Sequence, residues 1–183
     1  MLSKLNDDGT WSPITPSYYP DGMPLFKDPD ITGPHTYLLR TTSLADFTAA
    51  LFYLDAVVYR GGFIADLILP WIPGARQDRI NPHGDVLFTL KSIATMLNER
   101  GIGTVWVLDP HSDVAPALIH RCQVQHSDVL AHHPLIADVT YDGIIAPDSG
   151  AEKRAQRWAN RLAVPLYHAG KRRDVIARLR AHG

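Results

Sequence analysis

Asp66-Leu-Ile-Leu-Pro-Trp-Ile-Pro-Gly-Ala-Arg-Gln-Asp-Arg79 joins a short, unbroken apolar run to a loop of proline, glycine and charged side chains. An apolar run of strand length without period-two alternation suits a strand covered on both faces, as in parallel sheets. The pattern recurs along the chain. His35–Thr41 (HTYLLRT), Thr104–Leu108 (TVWVL), Gly143–Ala146 (GIIA) and Val164–Tyr167 all read as apolar strands. Helices fall between them. Ser43 or Asp46 can cap a helix running to about Tyr59, with Phe47, Leu51, Leu54 and Val58 at helical spacing and Gly61-Gly62 stopping it. Further helices are expected over Asp85–Arg100 (ended by Gly101), Val114–Ile119 and Ala151–Leu162. Alternating strands and helices predict an α/β fold, a mostly parallel sheet with helices on both faces. Asp109, His111, Asp148 and Lys171 follow strands directly. Ligands of open α/β sheets bind outside the carboxyl ends of strands.

The first 35 residues carry Pro13, Pro16, Pro20, Pro24, Pro29 and Pro34, which forbids a long helix and leaves short strands and turns. Asp7-Asp8-Gly-Thr10 reads as a turn. A His-rich irregular stretch follows Ile119, and the tail from Lys171 is basic and part helical. Two domains are expected: residues 1–136 with the Arg-Gln-Asp-Arg loop, and residues 137–183 as a partial second α/β domain.

Composition sets limits on function. The 183 residues are 45% apolar and 20% charged, as in globular proteins. A net charge of −1 gives no electrostatic case for nucleic acid. Cys122 is the sole cysteine and reads as a small buried apolar residue, so no disulfide calls for an oxidising compartment. No apolar run approaches the ~20 residues of a membrane span. The polar N-terminus does not look like a signal peptide, and the expected location is cytoplasmic. His120, His126, His132 and His133 match no zinc spacing and read as loop histidines. Trp71, Trp106 and Trp158 read as core or interface anchors.

Arg76 and Arg79 offer planar forks for phosphate or for stacking on a base, and Gln77 can both donate and accept at a purine edge. Seen alone, the tetrapeptide reads as a solvated loop. It is not alone. The Pro-x-x-x-Ala-Arg-Gln-Asp-Arg string resembles the ATP-binding loop of ribose-phosphate pyrophosphokinases, and four further segments match that family in order. Tyr18-Tyr-Pro-Asp-Gly-Met23 resembles its aromatic-Ser-Asp-Gly-Glu turn, and Leu108-Asp-Pro-His111 its Asp-Leu-His strand end. Ile145-Ala-Pro-Asp-Ser-Gly150 resembles its Ser-Pro-Asp-x-Gly-Gly turn, and Gly170-Lys-Arg-Arg173 its mobile basic loop.

The resemblance implies a phosphoribosyltransferase-like fold whose second domain is incomplete here. It also implies passage of the β,γ-pyrophosphoryl group of ATP to the 1-hydroxyl of ribose 5-phosphate. By the same resemblance Asp21, Gly22, Arg76, Gln77, Asp78 and Arg79 belong to the ATP site, and His111, Asp148 and Asp109 to a Mg2+ site. Lys171 and Arg173 would neutralise the transferred phosphate, and the Asp-Gly turn would complete a neighbour's ATP site in a homodimer or higher homo-oligomer. His83 falls near enough to Gln77 in sequence to approach the nucleotide. Two departures stand out: Met23 replaces the turn's glutamate, and no phosphoribosyl-binding loop follows Arg173. The expectation is an ATP-binding chain impaired in ribose-phosphate transfer, or else a catalytically silent nucleotide-binding or regulatory partner subunit of that family.

Overall fold

The computed structural model describes residues 1–28, 30–41, 43–80 and 87–169. Its contacts form two compact units, Met1–Gln125 and a second beginning at His126.

In the first unit β1 (Leu2–Leu5) and β2 (Trp11–Ile14) make an antiparallel hairpin. Its loop is the Asp7-Asp8 turn: Asn6 N donates to Thr10 O at 2.8 Å, and Asp8 Oδ1 accepts from the Thr10 amide at 2.9 Å. β3 (Ser17–Tyr18) and β4 (Pro24–Leu25) form a second, minimal hairpin. The central sheet then takes β5 (Gly33–Leu39), β6 (Gly62–Leu69), β7 (Thr104–Leu108) and β8 (Cys122–Gln125), all parallel, in the order β2-β1-β5-β6-β7-β8. The stretch after Ile119 is therefore not all irregular. β8 completes this sheet, with Cys122 and Val124 packed against the core.

Helix α1 (Leu44–Tyr59) starts as expected, with Ser43 Oγ accepting the Asp46 amide at 3.1 Å and satisfying one free N–H of the first turn. α2 (Thr89–Asn98) follows Phe88, whose φ of −108° and ψ of 67° lie outside the helical region and which packs on the core; the expected start at Asp85 lies outside the described residues. α3 (Val114–Leu118) is a single short helix before β8. Consecutive parallel strands in unbroken order are joined through the helices between them. Burial agrees: Leu67, Leu69, Val105 and Val107 share one core cluster with Phe47, Leu54, Leu90, Ile93 and Ala115, while Phe63, Trp106 and Leu108 are exposed. The mostly parallel α/β sheet with its helices is as expected. β6 also breaks its alternation, since the pairing steps from His35↔Ile64 to Thr36↔Asp66 and leaves Ala65 as an extra residue. That bulge lets Ile64, Leu67 and Leu69 all face the core.

A polar network fastens the N-terminal hairpin to α1. The Tyr53 hydroxyl donates to Asp28 Oδ2 at 2.7 Å, and Lys4 Nζ reaches the same oxygen at 3.5 Å and Asp30 O at 2.7 Å. Burial alone would raise the Asp28 pKa. Hydrogen bonds from Tyr53 and the Asp30 amide, with the Lys4 charge, outweigh it and hold the carboxyl below the usual 3.8. A depressed folded pKa stabilises the fold above the unfolded value, and that contribution is lost as pH falls through the folded one. Thermal melts from pH 6 to pH 2 should therefore show a steeper acid loss in wild type than in Asp28→Asn. Parallel curves would show that the network adds nothing pH-dependent.

The second unit holds β9 (Ile144–Ala146) and β10 (Leu166–His168), a parallel pair joined by α5 (Glu152–Leu162), with a short helix α4 (Pro134–Ala137) before them. α5 buries Ala155 and Ala159, and Ala163 in the left-handed region (φ 55°) ends it. Arg161 donates to buried Asp128 at 3.1 and 3.3 Å, and Trp158 Nε1 donates to Ser127 Oγ at 3.1 Å, an anchoring role as expected. No described helix is long and apolar enough to cross a membrane.

Candidate functional site

β6 and β7 are adjacent parallel strands, so the segments that leave their carboxyl ends emerge at the same edge of the sheet. After Leu69, Ile72 and Pro73 are buried and pin the chain, and a turn follows in which Gln77 N donates to Gly74 O at 2.8 Å. Gly74 is needed there on two counts. Its φ is +68°, and a Cβ would lie 2.6 Å from Thr89 Cγ2 at the start of α2. The close approach lets Leu90 N donate to the Gln77 carbonyl at 3.2 Å, satisfying an amide of the first helical turn. The loop is thus built onto β6 and α2.

On this base Arg76, Gln77 and Arg79 are exposed, and Arg76 makes no ion pair with another described residue. Asp78 is the exception, with 3% of its surface exposed. Arg79 Nε donates to its Oδ1 at 3.0 Å. Burial raises its pKa, but hydrogen bonds from Ser112 and Arg79 and the charges of Arg79 and His111 prevail, so it sits below the usual carboxylate value. The loop thus presents two guanidinium groups and an amide to solvent. Asp78, expected among the ATP-binding residues, points inward.

The β7 edge ends in Asp109, whose φ of +41° turns the chain sharply while its amide donates to Gln125 O at 3.0 Å. Pro110 then leads to an exposed His111 and to Ser112, whose Oγ accepts from the Val114 amide at 3.3 Å. His111 and the Arg76–Arg79 loop share the carboxyl edge of one sheet, as the strand-end spacing predicts. Asp21 and Gly22 occupy the turn of the β3–β4 hairpin, where Gly22 has φ +84° and Asp21 Oδ1 accepts from the Met23 amide at 3.1 Å. Tyr18, Tyr19 and Met23 beside them are exposed. In the second unit Asp148 follows β9 and its Oδ1 accepts from the Ala151 amide at 3.1 Å, capping the start of the helical segment. Lys171, Arg173 and His83 lie outside the described residues.

Among the described residues no group of three His, Cys, Asp or Glu side chains is placed to hold a metal. A cation here would rest on one or two protein donors and take its other ligands from phosphate and water. Sequence reasoning missed Ser112, whose hydroxyl acts on Asp78. No spacing rule marks a serine one residue beyond a strand-end histidine.

No protein-family model matches the chain. A ribose-phosphate pyrophosphokinase of Saccharolobus solfataricus is 29% identical over 164 residues, covering 85% of this chain and 55% of that protein. Ribose-phosphate pyrophosphokinase 1 of Streptococcus agalactiae is 28% identical over 162 residues, covering 79% and 47%. The chain is related to the ribose-phosphate pyrophosphokinases. It spans about half the length of these curated relatives. The crystal structure of phosphoribosylpyrophosphate synthetase from Mycobacterium smegmatis shares the fold, with a TM-score of 0.72 and 23% identity, covering 91% of this chain and 58% of that one. Kinship with ribose-phosphate pyrophosphokinases and a mostly parallel α/β fold are both as the motifs predict.

Proposed function

We propose that this chain carries the ATP side of a ribose-phosphate pyrophosphokinase site, holding magnesium-ATP on the loops after β6 and β7. One observation carries the reading. Arg76 and Gln77 are exposed on a loop locked by Gly74 at the sheet edge that also bears His111. A guanidinium that makes no ion pair with another described residue suits a phosphate oxygen or the face of a base, and Gln77 suits a purine edge. His111 would contact the cation with phosphate oxygens and water completing its shell, and Asp109 would support it from the same turn. When bound, the cation neutralises charge on the β- and γ-phosphates. Asp148, in the second unit, is kept as a candidate cation ligand by its motif alone.

The reaction is displacement at the β-phosphorus of ATP by the 1-hydroxyl of ribose 5-phosphate. The new bond joins that oxygen to the β-phosphorus, the bond to the α-phosphate oxygen breaks, and AMP leaves. Such transfers depend mostly on positioning and on neutralising charge on the phosphoryl oxygens. Arg76 would hold the nucleotide in place, and the resemblance gives Lys171 and Arg173 the charge on the moving group. The exposed Tyr18, Tyr19 and Asp21 of the β3–β4 hairpin suit contact with a second copy, and a homodimer in the cytoplasm is the expected state.

An assay of AMP release with and without ribose 5-phosphate separates the transferase from a silent nucleotide-binding subunit. Magnesium-dependent ATP binding is expected in either case. Stimulation of AMP formation by ribose 5-phosphate supports the transferase, and binding without AMP formation supports the silent subunit. Absence of ATP binding would remove both.

A further inference from the structure

Helix α1 is apolar on every side. Among its 16 residues only Asp46, Thr48, Asp55 and the two tyrosines carry polar groups. Phe47, Leu51, Leu54 and Val57 turn into the core. The outer face repeats their character. Leu44, Phe52 and Tyr59 are 57%, 44% and 87% exposed, and at helical spacing they form one stripe. Exposed Val58 borders it. Exposed Met96 extends it from α2, one turn before Arg100, which reaches Asp55 at 2.9 Å. A helix that is apolar all round normally lies buried. The other long helices differ: α2 exposes Lys91, Ser92 and Thr95, and α5 exposes Lys153, Arg154 and Gln156.

The occupant of this face follows from charge, symmetry and area. Within the stripe Asp55 is already paired with Arg100, and Thr48 Oγ1 donates to Leu44 O at 2.8 Å. An acidic or basic partner would find no open charge there, whereas an apolar surface would fit. Leu44 lies about two turns before Phe52, and Tyr59 about two turns after it. Turned over about a two-fold axis at Phe52, the stripe falls on itself, as an isologous interface requires. At roughly 200 Å2 for a large side chain, the exposed parts of the five residues come to roughly 500 Å2 of apolar surface. A standard interface buries about 800 Å2 on each partner, about 60% of it apolar. The patch supplies that apolar share.

We propose that the outer face of α1 is an interface between two copies of this chain, packed antiparallel about a two-fold axis at Phe52, with Leu44 of one copy against Tyr59 of the other. The surface uses other residues than the β3–β4 hairpin, and it does not depend on the nucleotide reading.

Sedimentation equilibrium of the full chain reads the association directly. Phe52→Glu brings two carboxylates together at the axis and should weaken self-association by about tenfold or more. Ser92→Glu, on the exposed side of α2, should leave it unchanged. Thermal melts show that each variant remains folded. Leu44→Glu and Tyr59→Lys test the register. Each alone should weaken association, and both in one chain pair across the axis and should restore most of it. Neither opposes the helix, since an acid near its start and a base near its end suit the dipole. A wild type that stays monomeric at every concentration, an association unmoved by Phe52→Glu, or a double variant no tighter than its parents would overturn the proposal.

Discussion

Arg76→Ala is expected to weaken magnesium-ATP binding by tenfold or more, a loss of about 1.5–3 kcal/mol, the range for a hydrogen bond to a charged group. The size follows from its setting. Arg76 is exposed, makes no ion pair with another described residue, and stands on a turn fixed by Gly74 against Thr89. Removing it leaves no buried group unsatisfied, so the fold should be untouched and the whole effect should appear in affinity. Arg79→Ala makes a useful contrast, because its Nε is shared with Asp78 at 3.0 Å. That variant should alter both ATP affinity and the Asp78 contact. Calorimetry with a thermal melt of each variant checks both. Unchanged affinity in Arg76→Ala would take the nucleotide away from this loop.

Leu69→Ala should cost the fold about 2–5 kcal/mol, the range for emptying a fully buried leucine site. Leu69 is 0% exposed at the carboxyl end of β6, directly beneath the loop, within the cluster that joins the sheet to α1 and α2. Phe63 lies near the start of the same strand but is 48% exposed. Phe63→Ala should cost under about 1 kcal/mol, as changes away from the core usually do. Denaturant unfolding of the two variants measures the difference. Similar losses in both would mean that the second face of the sheet is packed as tightly as the first.

The contrast also explains which parts of the fold were legible in the sequence. TVWVL and DLIL were readable as strands because unbroken apolar runs have few other uses. Ser43 was readable as a cap because its hydroxyl has a local partner, the Asp46 amide, three residues on. β8 was missed because Arg121-Cys-Gln-Val-Gln is polar every second residue, and its place beside β7 depends on pairing along Val105–Leu108. β1, Leu-Ser-Lys-Leu, is too short to signal itself and is fixed by its two antiparallel neighbours. The exposure of Trp106 and Phe63 was not legible, because apolar residues look the same in sequence whether covered or bare.

The site shows a similar division. Arg76, Gln77 and His111 were marked as candidates because each is a polar side chain beyond the end of an apolar strand. Asp78 was grouped with them by motif, yet it is buried with Arg79 Nε on its Oδ1, which no local pattern reveals. The motif thus left open which of its four side chains faces outward. Met23 was flagged for the glutamate it replaces. In the structure its amide closes the Asp21 turn and its side chain is exposed, so the turn forms without that glutamate.

The most direct test of the central claim is a titration of isotope-labelled protein with magnesium-ATP, followed by amide chemical shifts. The account predicts the largest shifts at Arg76, Gln77 and His111, at the shared carboxyl edge of β6 and β7, with little change at the β1–β2 hairpin. Saturable shifts confined to other elements, or no shifts at millimolar ATP, would contradict it.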